Sequence, residues 1–111
     1  MNSNQENIVK ILIEKSNKIN SSAFNLTRLI ILALTEYNRD GLQYRELKVI
    51  LNISDGKLKS NLDSLQEMGY INKVKIALDQ KKMHIYLISE LGERELKKIK
   101  SWIEIINQLE G

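Results

Sequence analysis

Few residues in this chain can make or break bonds. Cysteine is absent and histidine occurs once, at His84. That removes thiol nucleophiles, disulfides and any Cys- or His-rich metal centre. There is no nucleophile–base pair, no glycine-rich phosphate loop and no clustered carboxylates with a pocket signature. An enzyme is therefore not expected, and no cofactor or metal is called for. What the chain offers instead is cations, concentrated in two places. Lys57 and Lys59 stand among Gly56, Ser60, Asn61 and Ser64, and Lys73 and Lys75 are followed by Lys81 and Lys82. Their chemistry is electrostatic, suited to a polyanionic surface. Over residues 41–88 eight Lys/Arg stand against five Asp/Glu, an excess of +3, compared with +1 for residues 1–40 and −1 for residues 89–111.

The elements that must position these groups follow from periodicity. A length of 111 residues suits one domain, and 42% apolar content with only 5% aromatics requires a core of Leu and Ile. Proline is absent, so Gly and Asn must supply the breaks. Residues 5–19 read as a first helix, with Asn20-Ser21-Ser22 capping a second helix over 23–38. Phe24, Leu26, Leu29, Ile30, Ala33 and Leu34 are its expected buried stripe. A short helix over 44–51 has Leu47, Ile50 and Leu51 as its apolar face. Asn52 sits where a left-handed residue is wanted, and Ile53 inserts into the core. Ser54 caps the next helix, which buries Leu58, Leu62 and Leu65 and stops at Gly69. Strands over 70–76 and 83–88 flank a polar hairpin tip at 77–82. Ser89 caps a last helix reaching about residue 109. His84 reads as an ordinary strand residue, and Tyr37, Tyr44, Tyr70 and Tyr86 as packing residues.

Several segments resemble the winged-helix regulators of the MarR-like and ArsR-like type. Asn25-Leu26-Thr27-Arg28-Leu29-Ile30-Ile31-Leu32 is similar to their second helix, and Tyr44-Arg45-Glu46-Leu47 to their supporting helix. Ser54-Asp55-Gly56-Lys57-Leu58-Lys59-Ser60-Asn61-Leu62 resembles their recognition helix. Leu65-Gln66-Glu67-Met68-Gly69-Tyr70-Ile71 and Tyr86-Leu87-Ile88-Ser89-Glu90-Leu91-Gly92 are similar to the motifs flanking the wing. The resemblance spans about residues 23–95, in the family's order. It implies a mainly α fold with a small β-hairpin (α+β): a winged helix-turn-helix with additional N- and C-terminal dimerisation helices. The expected division is an N-terminal helix over 1–20, the winged core over 21–88 and a dimerisation helix over 89–111. The chain departs from such proteins at the wing tip, where Lys81 and Lys82 replace the frequent Arg. Asp55 and Asp63 also bring negative charge to the recognition helix.

The function so implied is sequence-specific binding of double-stranded DNA by a transcriptional regulator. The recognition helix would enter the major groove and the wing would lie on the backbone or minor groove. Expected DNA contacts are Arg28, Arg45, Gly56, Lys57, Lys59, Ser60, Asn61, Ser64, Lys73, Lys75, Lys81 and Lys82. The last helix carries a surplus apolar stripe beyond the one a domain edge needs, and so does the first. Ile8, Leu12, Leu96, Ile99, Trp102, Ile103, Ile105, Ile106 and Leu109 are therefore expected at a homodimer interface. The competing arrangement is the first helix packed on the last within one chain. The alternative function is a winged helix that binds another protein and not DNA. The polar start of the chain and the lack of an apolar run of about 20 residues point to no membrane partner and a cytoplasmic location. No small-molecule effector can be named from the sequence.

Overall fold

A computed structural model describes residues 2–109. The order is α1 (Ser3–Ser16), α2 (Leu26–Tyr37), β1 (Leu42–Gln43), α3 (Tyr44–Leu51), α4 (Asp55–Glu67), β2 (Ile71–Leu78), β3 (Lys81–Ile88) and α5 (Glu90–Asn107). Four helices start on a side-chain cap. Asn2 accepts from the Gln5 N–H, Asn25 from Arg28, Ser54 from Lys57 and Ser89 from Gly92. Each satisfies an amide that the helix leaves unpaired. At α3 the Glu46 carboxylate reaches back to the Gln43 N–H, at 2.9 Å. Asn20-Ser21-Ser22 does not cap α2 as expected. Asn20 instead caps a separate 3-10 turn, Ser21–Ala23, and Asn25 opens α2.

Asn52 adopts the expected left-handed conformation between α3 and α4, at φ 51° and ψ 50°. Gly69 ends α4 with φ 79°. The strands are longer than their sequence expectation, because only Asp79 and Gln80 form the tip, both with positive φ. A two-residue turn of that hand matches the right-handed twist of the strands it joins. The sheet is antiparallel in the order β1-β3-β2. Register pairs Lys73 with Tyr86, Lys75 with His84 and Ala77 with Lys82.

Leu32, Leu47, Leu58, Leu62, Leu65, Ile71, Leu96 and Ile99 form the centre of the core, walled by Tyr70 and Tyr86. The expected face of α2 holds at Leu29 and Leu34, which pack half-buried against the core, and is rotated elsewhere. Its inward residues are Arg28, Ile31, Leu32 and Thr35, at helical spacing, while Phe24, Leu26, Ile30 and Ala33 are exposed. Thr35 is tolerated inside because its hydroxyl donates to the Ile31 carbonyl, at 2.8 Å. Ile50 and Tyr37 are also exposed, contrary to their expected packing roles. At the base of the wing Gly92 lets α5 approach the backbone. A Cβ there would stand 2.3 Å from the Tyr70 carbonyl oxygen, which no side chain survives without displacement.

α1 lies along α5. The Trp102 indole N–H donates to the Leu12 carbonyl at 3.1 Å, and the Trp102 ring meets Phe24 edge-on at 5.5 Å. This corrects part of the expected dimer surface. Leu96 and Ile99 are core residues of the protomer, and Ile105 is buried as well. Ile8, Leu12, Trp102 and Leu109 are half-buried, while Ile103 and Ile106 are exposed. No residue of α1 is fully buried, and Ile11 and Ile13 face outward. The radius of gyration is 17.0 Å, against about 13 Å for a compact chain of this length. Met1, Glu110 and Gly111, which belong to the expected terminal segments, lie outside the described residues.

Candidate nucleic-acid interface

α4 is held by its apolar edge. Leu58, Leu62 and Leu65 sit in the core one helical turn apart, and the opposite edge is therefore free. Lys57 and Ser60 are exposed on that edge, and their side chains take no partner among the described residues. Gly56 opens onto empty space, with nothing within 4 Å of where a Cβ would stand. A flat, polar surface with a backbone approach is what a groove-reading helix requires.

Three expected contacts are instead used by the fold. Arg28 donates from Nε to the Asn61 amide oxygen at 2.9 Å, and through its two terminal nitrogens to the Ser22 carbonyl at 2.6 Å and the Ser64 hydroxyl at 3.2 Å. Asn61 is only 8% exposed, and its amide nitrogen donates to the Lys57 carbonyl at 2.8 Å. Arg28, Asn61 and Ser64 therefore lock α2 onto the inner flank of α4. Arg45 is exposed on α3 without an ion-pair partner among the described residues.

Two of the three acids of α4, Asp55 and Asp63, are paired with lysines. Asp55 accepts from the Lys48 ammonium at 2.9 Å and from the Tyr44 hydroxyl at 2.9 Å. The Lys48 bond, followed by the Tyr44 bond, holds the Asp55 carboxyl below its ordinary 3.8. Burial, then the bond to Asp55, pushes the Tyr44 phenol up. Asp63 pairs with Lys59 at 3.0 Å, one turn away. Repulsion of phosphate by Asp55 and Asp63 is thereby weakened, and Lys59 is not a free cation.

The wing presents three of its four lysines on one side. In a strand successive side chains alternate between faces. With the observed register, Lys73, Lys75, Lys82 and His84 share the face of Tyr86. This is the face turned toward α4: Lys73, His84 and Tyr86 border a groove of about 220 Å³ together with Lys59 and Asp63 of that helix. The Lys73 ammonium stands 6.0 Å from the centre of the Tyr86 ring. Lys81, one residue from Lys82, takes the other face. His84, read from the sequence as an ordinary strand residue, lies in β3 and by alternation shares the face of Lys73, Lys75 and Lys82. The expected first strand ended two residues short of the observed one, and the expected second strand began two residues late.

A winged-helix DNA-binding domain model matches residues 27–106, which is most of the chain. The protein belongs to the winged helix DNA-binding domain family. Among solved structures, this winged-helix protein is similar to the S. aureus MepR–DNA complex, with a TM-score of 0.69 at 14% identity, covering 93% of this chain and 77% of that one. It also resembles a MarR-family transcriptional regulator from Rhodococcus sp., with a TM-score of 0.63 at 14% identity, covering 92% and 71%. For the adhesin competence repressor AdcR of Streptococcus pyogenes the TM-score is 0.60 at 20% identity, covering 92% and 73%. At these identities the likeness is one of fold. In a winged-helix domain, α4 is the second helix of the helix-turn-helix and the β2–β3 hairpin is the wing. A comparison with curated proteins finds no match. No helix among the described residues is long and apolar enough to cross a membrane.

Proposed function

We propose that this winged-helix protein is a homodimeric regulator of transcription that reads double-stranded DNA in a sequence-specific way. The observation that carries the reading is convergence. Lys59 of α4 and Lys73 and His84 of the wing border one groove. Gly56, Lys57 and Ser60 are exposed on the free edge of that same helix, and Lys75 and Lys82 share the wing face of Lys73. α4 enters the major groove, where Lys57 reaches a base edge. The wing lysines neutralise phosphates. The resolved structure of a MepR–DNA complex, a protein of the same fold, supports this arrangement.

Dimerisation is supported by what α1 and α5 leave uncovered. Ile11, Ile13, Ile103 and Ile106 are exposed on the two terminal helices, in a chain more extended than its length requires. A second copy covers them and sets two recognition helices about 34 Å apart, one turn of DNA. The test is binding-site selection from random duplexes, followed by isotherms on the selected and on random DNA. The expected result is an inverted repeat, with Lys57→Ala reducing affinity for it by about 1–3 kcal/mol and flattening discrimination. An affinity for DNA independent of salt and sequence points instead to a protein partner.

A further inference from the structure

The β2–β3 hairpin has two faces of unlike chemistry. Lys73, Lys75, Lys82 and His84 lie on the face of Tyr86. The same register pairs Val74 with Ile85, Ile76 with Met83 and Leu78 with Lys81 on the reverse face, with Leu87 nearer the base. A wing that only lies on phosphates needs no apolar reverse, and the solvated face of an antiparallel sheet is ordinarily polar. The fold closes the base of this reverse face. Ile85 and Leu87 meet Gly41, where a Cβ would stand 2.9 Å from Ile85 Cδ1 and 3.0 Å from Leu87 Cδ2. The Gln43 amide donates to the Met83 sulfur at 3.2 Å. Toward the tip the face is open: Val74 is 36% exposed and Leu78 58%.

The rim of the open patch carries one charge of each sign. Asp79, in the turn, and Lys81, opposite Leu78, have no ion-pair partner among the described residues. The size of the patch limits what can cover it. Each strand has 8 residues. At ordinary strand dimensions the hairpin face measures about 27 Å by 10 Å, so two copies packed face to face bury on the order of 500 Å². A free-standing interface needs about 1,000 Å² or more. The patch is too small to hold a complex by itself, but it can add to one that something else holds together. Copies seated side by side on a duplex are held in that way.

We propose that the reverse face of the wing docks on the same face of a second copy at the neighbouring DNA site, so that adjacent sites fill cooperatively. The packing is self-complementary about a two-fold axis along the strands, with the sheets about 10 Å apart. β2 of one copy then lies over β3 of the other, apolar row on apolar row, and Lys81 comes beside the partner's Asp79. The two wings of one dimer stand about a DNA turn apart, so the second copy belongs to the next dimer along the duplex. The cationic face stays free for phosphates throughout. The cooperative use rests on the DNA-binding reading above, whereas the surface itself does not.

Amide shifts of the full chain without DNA, followed by NMR from about 0.05 mM to about 2 mM protein, test the surface. Residues 74–78 and 81–85 should move together, with a dissociation constant of about 1 mM. Val74→Thr with Leu78→Thr keeps strand-forming residues and should abolish the movement while the rest of the spectrum stays folded. Lys81→Glu, which sets like charges at the rim, should weaken it by about threefold. Duplexes with one or two selected sites, spaced in steps of about half a helical turn, test the use on DNA. At one helical phase the wild type should fill the second site about tenfold more tightly than the first. The Val74/Leu78 variant should fill both sites independently, with single-site affinity unchanged. The chain has no cysteine, so Leu78→Cys carries the single thiol. At micromolar protein a short bismaleimide should link copies on the two-site duplex and not on the one-site duplex. Wing shifts absent up to about 2 mM assign the patch to a different protein and overturn the proposal, as do shifts that persist in the Val74/Leu78 variant. Independent filling at every spacing, or equal linking on both duplexes, overturns the use on DNA. If the protein binds no DNA at all, the function fails while the concentration series still decides the surface.

Discussion

Lys81 and Lys82 are adjacent in sequence, but the structure separates their roles. Register sets Lys82 opposite Ala77 and Lys81 opposite Leu78, so the two ammonium groups leave the wing on opposite faces. Only Lys82 shares the face of Lys73, Lys75 and His84. Each phosphate neutralised contributes about 0.9 to the slope of log affinity against log salt. A dimer carrying Lys82→Ala loses two such contacts, and its slope should become shallower by about 1.8. Over a fourfold rise in salt, the wild type should then lose about tenfold more affinity than the variant. Lys81→Ala should keep the wild-type slope. Fluorescence anisotropy on one labelled duplex at four salt concentrations measures all three proteins. Equal slope changes for Lys81→Ala and Lys82→Ala would refute the assignment of wing faces, and the convergence of wing and helix with it.

Leu62, fully enclosed between α4 and the core, should cost about 2–5 kcal/mol when cut to Ala, read as a lower denaturant midpoint with unchanged m. Arg28→Met should destabilise by about 1–3 kcal/mol, because Asn61 loses its partner in a nearly buried site, yet leave the salt slope of DNA binding untouched. A reduced slope would return Arg28 to the phosphate contacts. Asp55 titrates below its ordinary value in the folded chain, so its bonds to Lys48 and Tyr44 stabilise from that ordinary value up through neutral pH. This stability is lost as pH falls through the lowered folded value. Thermal melts of wild type and Asp55→Asn should therefore converge in acid and separate toward neutrality. Ile103→Asp with Ile106→Asp should shift light scattering from dimer to monomer without unfolding the protomer, since both side chains are exposed in it. Retention of the dimer places the interface elsewhere.

The helices and hairpin were legible because their signals are local. Asn52, Ser54, Gly69 and Ser89 stop or start elements through their own backbone preferences and side-chain caps, and no distant contact is needed. The free edge of α4 was legible for a related reason, as Leu58, Leu62 and Leu65 fix one face and so expose the other. The choice of face on α2 was not. Ile30, Ile31 and Leu32 are consecutive, so the apolar pattern alone permits rotation by one position.

Only the tertiary structure decided that rotation, because Arg28 finds Asn61 and Ser64 across a gap of more than thirty residues. The same holds for the terminal helices. Periodicity showed that α5 carries two apolar stripes, and could not say which neighbour each one meets. The structure gives Leu96, Ile99 and Ile105 to the protomer's own interior and leaves Ile103 and Ile106 outside. Sequence determined the composition, order and caps of the elements, which depend on neighbours within a few residues. Register on the wing, the pairing of Asp55 with Lys48 and the burial of Glu95 depend on where separate elements meet. That is set by packing of the whole chain, in which one shared core must satisfy every face at once.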